Sequence, residues 1–346
     1  MISASRAGLT ASAIVLAAVL TACAAPPTPK SAPPPPPPIT LAPKLIEQAS
    51  AYRYYMDRAS KITPAFAAGP DIAQALKVGV SYEPKQFLQG AIAYGAIVAL
   101  QDPAFVAGVR QYAGTAQQRQ EIAYAIMKDP AYVVGLQGSG SAAGLVVAAL
   151  GADGATFYEA GKTVKQSAYD VQRQSWSKAD VASRDLRLAQ AKSLSATPLV
   201  GDLTETSRLQ QAAVGGQTLG LTGAPVTPPF TPVVIRSLSI AALAILGYGN
   251  ETNIETLNAL MVEPNIASCA NLAKLNLYQC LAVSKPHYED IFCLGQHAMM
   301  DTARCVIKAS GQPEPYEYRF VPKVRPDATY KVTPVKKPAA KKAAKK

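Results

Sequence analysis

Apolar positions in residues 44–311 recur every three to four residues, and proline or glycine interrupts them at intervals. Spacing of this kind is typical of amphipathic helices. Residues 44–62 show it without interruption, and residues 153–178 extend it over a longer segment. One face of that segment carries Phe157, Ala160, Val164, Ala168 and Val171. The pattern predicts an all-α fold, either a helical bundle or a short array of helical hairpins.

A short phrase recurs as Thr63-Pro64-Ala65-Phe66, Asp102-Pro103-Ala104-Phe105 and Asp129-Pro130-Ala131-Tyr132. Asp or Thr accepts hydrogen bonds from the free amides at a helix start. Proline at the first helical position sacrifices no hydrogen bond. Each phrase is therefore predicted to begin a helix. Residues 92–111 also resemble residues 122–138, which predicts repeated helical hairpins of the kind that stack in solenoids.

Composition divides the body into three segments. Residues 44–195 are predicted as the helical-hairpin array, residues 196–232 as a loop or linker rich in Pro, Gly and Thr, and residues 233–311 as a second helical region. Within the array, Thr115 and Gln118 predict a capping box. Residues 138–144, GSGSAAG, follow helical sequence instead of a strand, so close packing through small residues is predicted there and not a phosphate-binding loop.

The chain begins with signals for export and anchoring. Residues 1–22 place Arg6 before a short apolar run, which predicts a signal peptide that is removed. Leu20-Thr21-Ala22-Cys23 resembles the lipobox of bacterial lipoprotein precursors. The resemblance implies cleavage before Cys23 and its modification with acyl chains such as palmitate, enough for stable anchoring. No Asp follows Cys23, which in that family favours the periplasmic face of the outer membrane and leaves surface display open.

A spacer follows the predicted anchor. Residues 23–43 contain ten prolines, and proline lacks the amide donor that helices and sheets need. This segment is predicted to be a polyproline linker that holds the body away from the membrane.

The net charge of +11 belongs mainly to the C-terminal segment, because residues 312–346 contain ten Lys or Arg and only three Asp or Glu. This segment is predicted to be an extended arm followed by a disordered basic tail. Six lysines end the chain: Lys336, Lys337, Lys341, Lys342, Lys345 and Lys346. They are predicted to bind a polyanion, either peptidoglycan or lipopolysaccharide, and no nucleic acid is expected outside the cytoplasm. Lys346 is also similar to the terminal lysine that joins some small lipoproteins to peptidoglycan, and a merely solubilising tail is the alternative.

Four cysteines remain in the mature chain after Cys23, and an even number in an exported protein predicts disulfide bonds. One helix is predicted over residues 264–283 and a second from residue 286, which makes them antiparallel neighbours. Facing residues of such a hairpin have a nearly constant sum of residue numbers. Cys280 with Cys293 and Cys269 with Cys305 meet that condition. The nested layout resembles the geometry of twin-cysteine helical hairpins.

A metal site is the competing interpretation of the same hairpin. Cys293 and His297 lie four residues apart, and Cys280, His287 and Met299 or Met300 would complete a set of soft ligands for copper(I) or zinc. The hairpin lacks a repeated Cys-x₂-Cys spacing. His287 is therefore predicted to be a solvated turn residue, and the two methionines to fill the core.

Both histidines lie in this hairpin, and neither accompanies a nucleophile motif. The sequence therefore predicts a non-enzymatic outer-membrane lipoprotein with no cofactor. Its helical body would serve as an interaction module, within an envelope protein complex in one version of the hypothesis. The alternative function is a periplasmic metal-binding or redox protein that uses the Cys, His and Met residues of the hairpin.

Overall fold

The computed structural model describes residues 37–316. The predicted signal peptide, Cys23, residues 23–36 of the linker and residues 317–346 with their lysines lie outside the described residues. Fourteen α-helices and no β-strand are present within residues 37–316, which confirms the predicted all-α class.

The first seven helices are α1 (Pro43–Ser60), α2 (Gly69–Val80), α3 (Pro84–Ala99), α4 (Pro103–Arg110), α5 (Ala116–Lys128), α6 (Ser139–Val171) and α7 (Ser175–Lys178). The remaining seven are α8 (Arg184–Ala196), α9 (Leu203–Ala213), α10 (Pro232–Ile245), α11 (Ile254–Leu260), α12 (Pro264–Val283), α13 (His287–Cys293) and α14 (Thr302–Ser310). Two 3₁₀ helices span Pro130–Gly135 and Glu251–Asn253, and a π-helical segment spans Leu294–Asp301.

The core is built around α3 and α10. Every residue from 90 to 100 and from 237 to 246 is buried, and α3 contacts α1, α6 and α10. The Ser237 hydroxyl lies in this core and donates to the carbonyl oxygen of Val233 at 2.9 Å, so burial leaves it with a hydrogen bond. The central helices are therefore apolar on all sides, as expected of elements with no solvent face.

Helix α6 connects this core to the C-terminal helices. It contacts α3 at one end and α13, the π-helical segment and α14 further along. By length and composition α6 could cross a membrane, and half of its apolar stretch is buried inside the body. The predicted helix over residues 153–178 is thus part of a longer helix, which ends at Val171 and is followed by the short α7.

The three proline phrases begin three different structures. Asp102 accepts a hydrogen bond from the Phe105 amide and starts α4, as predicted. Asp129 caps a 3₁₀ helix instead of an α-helix. The prediction at Thr63 is wrong, because residues 61–68 contain no helix and Thr63 only closes a turn by accepting from Ala65. Helix α2 begins later, where Asp71 accepts from the amides of Ala67 and Ala68.

The predicted capping box is confirmed, since Thr115 Oγ1 accepts from the Gln118 amide and Gln118 Oε1 accepts from the Thr115 amide. The segment 196–232, predicted as a loop or linker, contains helix α9, and its residues 214–231 are non-helical. Buried apolar residues on both sides of this segment belong to one core.

The small residues of GSGSAAG allow an extended segment to lie against α6. The Val226 amide donates to the Gly140 carbonyl oxygen at 3.0 Å. A Cβ atom at Gly144 would lie 2.1 Å from the Ala224 carbonyl oxygen, so only glycine permits this approach. Close packing of α6 through these small residues is confirmed, but the expected partner was another helix and the observed partner is an extended segment.

Candidate functional site

The cysteine-bearing hairpin folds as predicted from residue numbering. Helix α12 runs antiparallel to the stretch formed by α13, the π-helical segment and α14. Cys269 is bonded to Cys305 and Cys280 to Cys293, with Cα atoms 5.8 Å and 5.7 Å apart. We call residues 264–310 the clamp, because two bridges join its helices at two levels.

The clamp is packed tightly against α6. Met299 and Met300 are fully buried, as predicted for core residues. A Cβ atom at Gly295 would lie 2.4 Å from the Lys165 amide nitrogen of α6, so the π-helical segment approaches the backbone of that helix directly. The clamp is therefore part of the core of the body and not an appendage.

The residues proposed as metal ligands are engaged in other contacts. The Cys280 and Cys293 sulfurs are bonded to each other, so neither is the thiolate that a metal would require. His297 Nδ1 lies 2.7 Å from Asp301 Oδ2. Among residues 37–316, no group of three or more His, Cys, Asp or Glu side chains could hold a metal ion.

A slot-shaped cavity lies between α2 and α8, at the turn end of the clamp. Its volume is about 540 Å³, within the range typical of small-molecule sites. Helix α2 contributes Ile72, Ala73, Leu76 and Val80 to one wall, and helix α8 contributes Leu186, Ala191 and Leu194 to the other. We call this cavity the slot.

Three polar side chains of the slot, Arg187, His287 and Asp290, lie in the first turns of α8 and α13. Asp180 precedes α8, whereas the exposed Gln190 and Lys77 lie in the middle of α8 and in the last turn of α2. Arg187 forms an ion pair with Asp290, and the side chains are only 11% and 2% exposed. Burial raises the pKa of Asp290, and the guanidinium of Arg187 opposes that rise.

His287 differs from its predicted role. It was expected to be a solvated turn residue, yet its ring is half-buried, lies against Gly69 and faces the Trp176 ring at 6.5 Å. The first residue of α13 is thus placed on the slot, because the His287 amide donates to the Ala179 carbonyl oxygen at 3.2 Å.

Two arginines of α8 join the slot to the clamp. Arg184 donates to the carbonyl oxygens of Ala282 and Ser284 at 2.8 Å and 2.7 Å. Arg187 donates to the Leu281 carbonyl oxygen in addition to its pair with Asp290. Carbonyl groups at a helix C-terminus lack partners within the helix and carry partial negative charge, so cations are favoured there.

Lys274 belongs to helix α12 of the clamp and contacts the end of α2, which forms one wall of the slot. It is 4% exposed, its ammonium donates to the Val80 carbonyl oxygen at 2.6 Å, and it lies 3.4 Å from the centre of the Tyr82 ring. Burial lowers the pKa of Lys274 well below its usual value, and the charge of Glu83 opposes that effect. The Lys274 amine is therefore bonded to the backbone of Val80 at the end of the slot wall. No carboxylate is bonded to this amine among residues 37–316.

The slot was not predicted from the sequence. Helix α2 was assigned a start at Thr63, which hid the spacing of Ile72, Leu76 and Val80 along one face. Helix α8 was included only in the array as a whole. A helix assigned from Asp71 would have shown that apolar face. That helix α8 lies across the slot from α2 is decided by tertiary packing and could not be predicted from either helix alone.

Comparison with known proteins gives no relative: no family model, curated protein or solved structure matches this chain.

Proposed function

We propose that this chain is an exported, lipid-anchored envelope protein whose helical body is a non-enzymatic binding module. The observation that supports binding is the slot. It has apolar walls, a few polar groups at one end and a volume of about 540 Å³, the combination common to sites for small ligands.

Two features support the proposed compartment. The Cys269–Cys305 and Cys280–Cys293 bridges suit an oxidising environment, because cytosolic thiols are kept reduced. The sequence Leu20–Cys23 resembles a lipobox and supplies the proposed anchor. The periplasmic face of the outer membrane is the location that this proposal assigns.

The basic tail is proposed to contact a second partner, the peptidoglycan or another envelope polyanion. The basis is charge distribution: residues 312–346 carry a net charge of +7 whereas residues 31–311 carry only +2. Contacts between lysines and a polyanion weaken steeply with added salt. The body would thus be held between an acyl anchor and a polyanionic surface.

Labelling with palmitate in cells tests the anchor. Wild type is expected to carry covalent label that survives denaturation and to sediment with the outer membrane. The Cys23→Ser variant is expected to lose both properties. Label retained by Cys23→Ser, or wild type that stays soluble without label, would overturn the proposed anchoring.

Sedimentation with purified peptidoglycan tests the tail. The six terminal lysines are replaced together by Gln in one variant and by Arg in a matched control. At low salt the Gln variant is expected to stay in the supernatant while the Arg variant sediments like wild type. Equal sedimentation of all three proteins would rule out the tail as the binding element.

A further inference from the structure

We infer that the slot binds the single acyl chain of an anionic lipid, with its carboxylate or phosphate at the end where Arg187 and His287 lie. The inference deepens the proposed function, because it names the ligand class of the binding module. It rests on that proposal only for the presence of lipids near the body.

The shape of the slot favours a linear ligand. Residues of α8 line it from Ser183 to Leu194, a rise of ~16 Å along the helix. Residues of α2 line it from Gly69 to Val80, and the two helices contact each other. A cavity that follows two packed helices for about three turns suits an extended alkyl chain better than a compact ring system.

The walls are mainly apolar along that length, with Lys77 on α2 and Gln190 on α8 as the polar exceptions. Leu76 and Leu194 belong to opposite walls, and Leu186 lies across from α2 near the polar end. Leu186 is 60% exposed, so covering it with an alkyl chain would remove apolar surface from water. A sugar or a peptide backbone would leave its polar groups unpaired against these walls.

The polar end has an excess of hydrogen-bond donors. Arg187 lines the slot, and its Nε has no hydrogen-bond partner within residues 37–316; this atom is buried, so a head group reaches it only when the guanidinium turns toward the slot. Ser183, the N-cap of α8, also lines the slot and makes no side-chain hydrogen bond to the first amides of that helix. These amides and the helix dipole favour an anion.

The acceptors near this end are already engaged or lie at the rim. Asp290 accepts from Ser284 at 2.8 Å and pairs with Arg187. Asp180, just before α8, and Asp185, in the first turn of that helix, are both exposed to solvent. An acceptor-rich head such as a carboxylate or a phosphate therefore matches this end better than an amine.

Lipid binding to the purified mature chain carrying Cys23→Ser tests the inference without the protein's own acyl chains. Displacement of a fluorescent fatty acid is measured with palmitate and with lysophosphatidylglycerol. We expect saturable binding of at least one of them at one site per chain. Palmitate binding alone identifies a free fatty acid, and lysophosphatidylglycerol binding alone identifies a phospholipid. Binding of neither, or binding that does not saturate, overturns the inference.

The Leu186→Glu variant locates the site. It removes an apolar wall contact and adds a negative charge near the proposed head position, so affinity is expected to fall by about tenfold or more. The matched control is Leu203→Glu, because Leu203 is 85% exposed on α9 and does not line the slot. Equal affinity of Leu186→Glu and the control would exclude the slot.

Two further measurements test the space in the slot and the charge of the ligand separately. Ala73→Trp fills the slot from an exposed position of α2 and is expected to weaken binding without added charge. Methyl palmitate, which lacks the carboxylate, is expected to bind about tenfold more weakly than palmitate where palmitate is the ligand. If no lipid binds while Cys23 is still labelled in cells, the ligand assignment fails and the proposed anchoring stands.

Discussion

The clamp and the slot are neighbouring regions connected by the arginines of α8. They are built from different side chains, sulfur-bearing ones in the clamp and aliphatic ones in the slot. The clamp contains four cysteines, two histidines and two methionines, and it uses the sulfur-bearing residues for bridging and packing. The slot has walls mainly of leucine, isoleucine, valine and alanine, and its volume of about 540 Å³ exceeds the 360 Å³ of the cavity beside Cys280 and Cys293. The larger cavity is therefore not the one beside the chemically distinctive side chains.

The difference follows from burial. Met299, Met300, Cys293 and Cys305 have almost no exposed surface, so they contribute to stability and offer nothing to a partner. Leu186 remains 60% exposed beside a cavity, and its apolar surface is available to a ligand. The predictions below compare the two regions directly, from the largest expected effect to the smallest.

Removal of the disulfide bridges should show that the clamp contributes more to the free energy of unfolding than the slot does. The outer bridge closes 36 residues and the inner bridge 13. From loop closure we expect Cys269→Ser with Cys305→Ser to lower the free energy of unfolding by about 4 kcal/mol, and Cys280→Ser with Cys293→Ser by about 3 kcal/mol. Urea unfolding without reductant measures both values. If removal of the inner bridge lowered the free energy of unfolding more than removal of the outer bridge, the loop-closure explanation would be contradicted.

Loss of Arg187 should destabilise the junction between the regions. Arg187→Met leaves Asp290 buried without its cation and removes a donor from the end of α12, at an expected cost of about 3 kcal/mol at pH 7. The pKa of Asp290 is already raised by burial and should rise further in the variant. A raised folded-state pKa means that stability falls as pH rises from the unfolded value toward the folded one.

The variant should therefore lose more stability at pH 7 than at pH 4, relative to wild type. Arg173→Met is the control, because Arg173 is exposed and its loss should change stability by less than about 0.5 kcal/mol. A pH-independent difference between Arg187→Met and wild type would show that Asp290 is not the group left uncompensated.

Truncation of one side chain in each region makes the comparison direct. Met300→Ala should cost about 2–4 kcal/mol, because Met300 is fully buried in the clamp. Leu186→Ala should cost about 0.5 kcal/mol or less, since most of Leu186 faces solvent. Thermal or urea unfolding of both variants provides the measurement. Similar costs would mean that the slot wall is as rigidly packed as the clamp.

Lys274→Met should stabilise the protein by about 1 kcal/mol at neutral pH, because a buried amine without a bonded carboxylate is replaced by an apolar side chain of similar length. The Val80 carbonyl oxygen would keep its hydrogen bond from Ser195 at 3.2 Å. Because the folded pKa of Lys274 is lowered, the wild-type protein binds fewer protons folded than unfolded, and its stability rises with pH in that window.

The gain from Lys274→Met should accordingly shrink as pH rises toward ~10, the ordinary pKa of lysine. Lys192→Met is the control on the exposed face of α8. A gain that is constant with pH would show that Lys274 is charged in the folded protein, or that packing alone explains the change.

Local sequence signals predicted the all-α class, the capping box and both disulfide bonds. The bridges were accessible because a helical hairpin has fixed geometry, so residue numbers alone decide which cysteines face each other. The start of α2 was not accessible, since Thr63-Pro64 and Pro70-Asp71 are both acceptable helix starts. Their tertiary contacts decide between them.

The slot was beyond local reasoning for a related reason. Its two walls are about 110 residues apart in sequence, and either helix alone has only an ordinary apolar face. The two helices meet where Ser195 Oγ donates to the Val80 carbonyl oxygen at 3.2 Å. Helix α8 is also held to the clamp, because the Val181 amide donates to the Lys285 carbonyl oxygen at 2.8 Å. These are long-range contacts without a sequence motif.

The arginine contacts also determine how the slot and the clamp respond to each other. The last carbonyl groups of α12 depend on Arg184 and Arg187, and both arginines lie on the helix that forms one wall of the slot. Movement of α8 away from α12 would therefore remove both cations from the last carbonyl groups of α12. Amide hydrogen exchange in the last turn of α12 therefore reports on whether α8 stays bound to the clamp, at residues that do not line the slot.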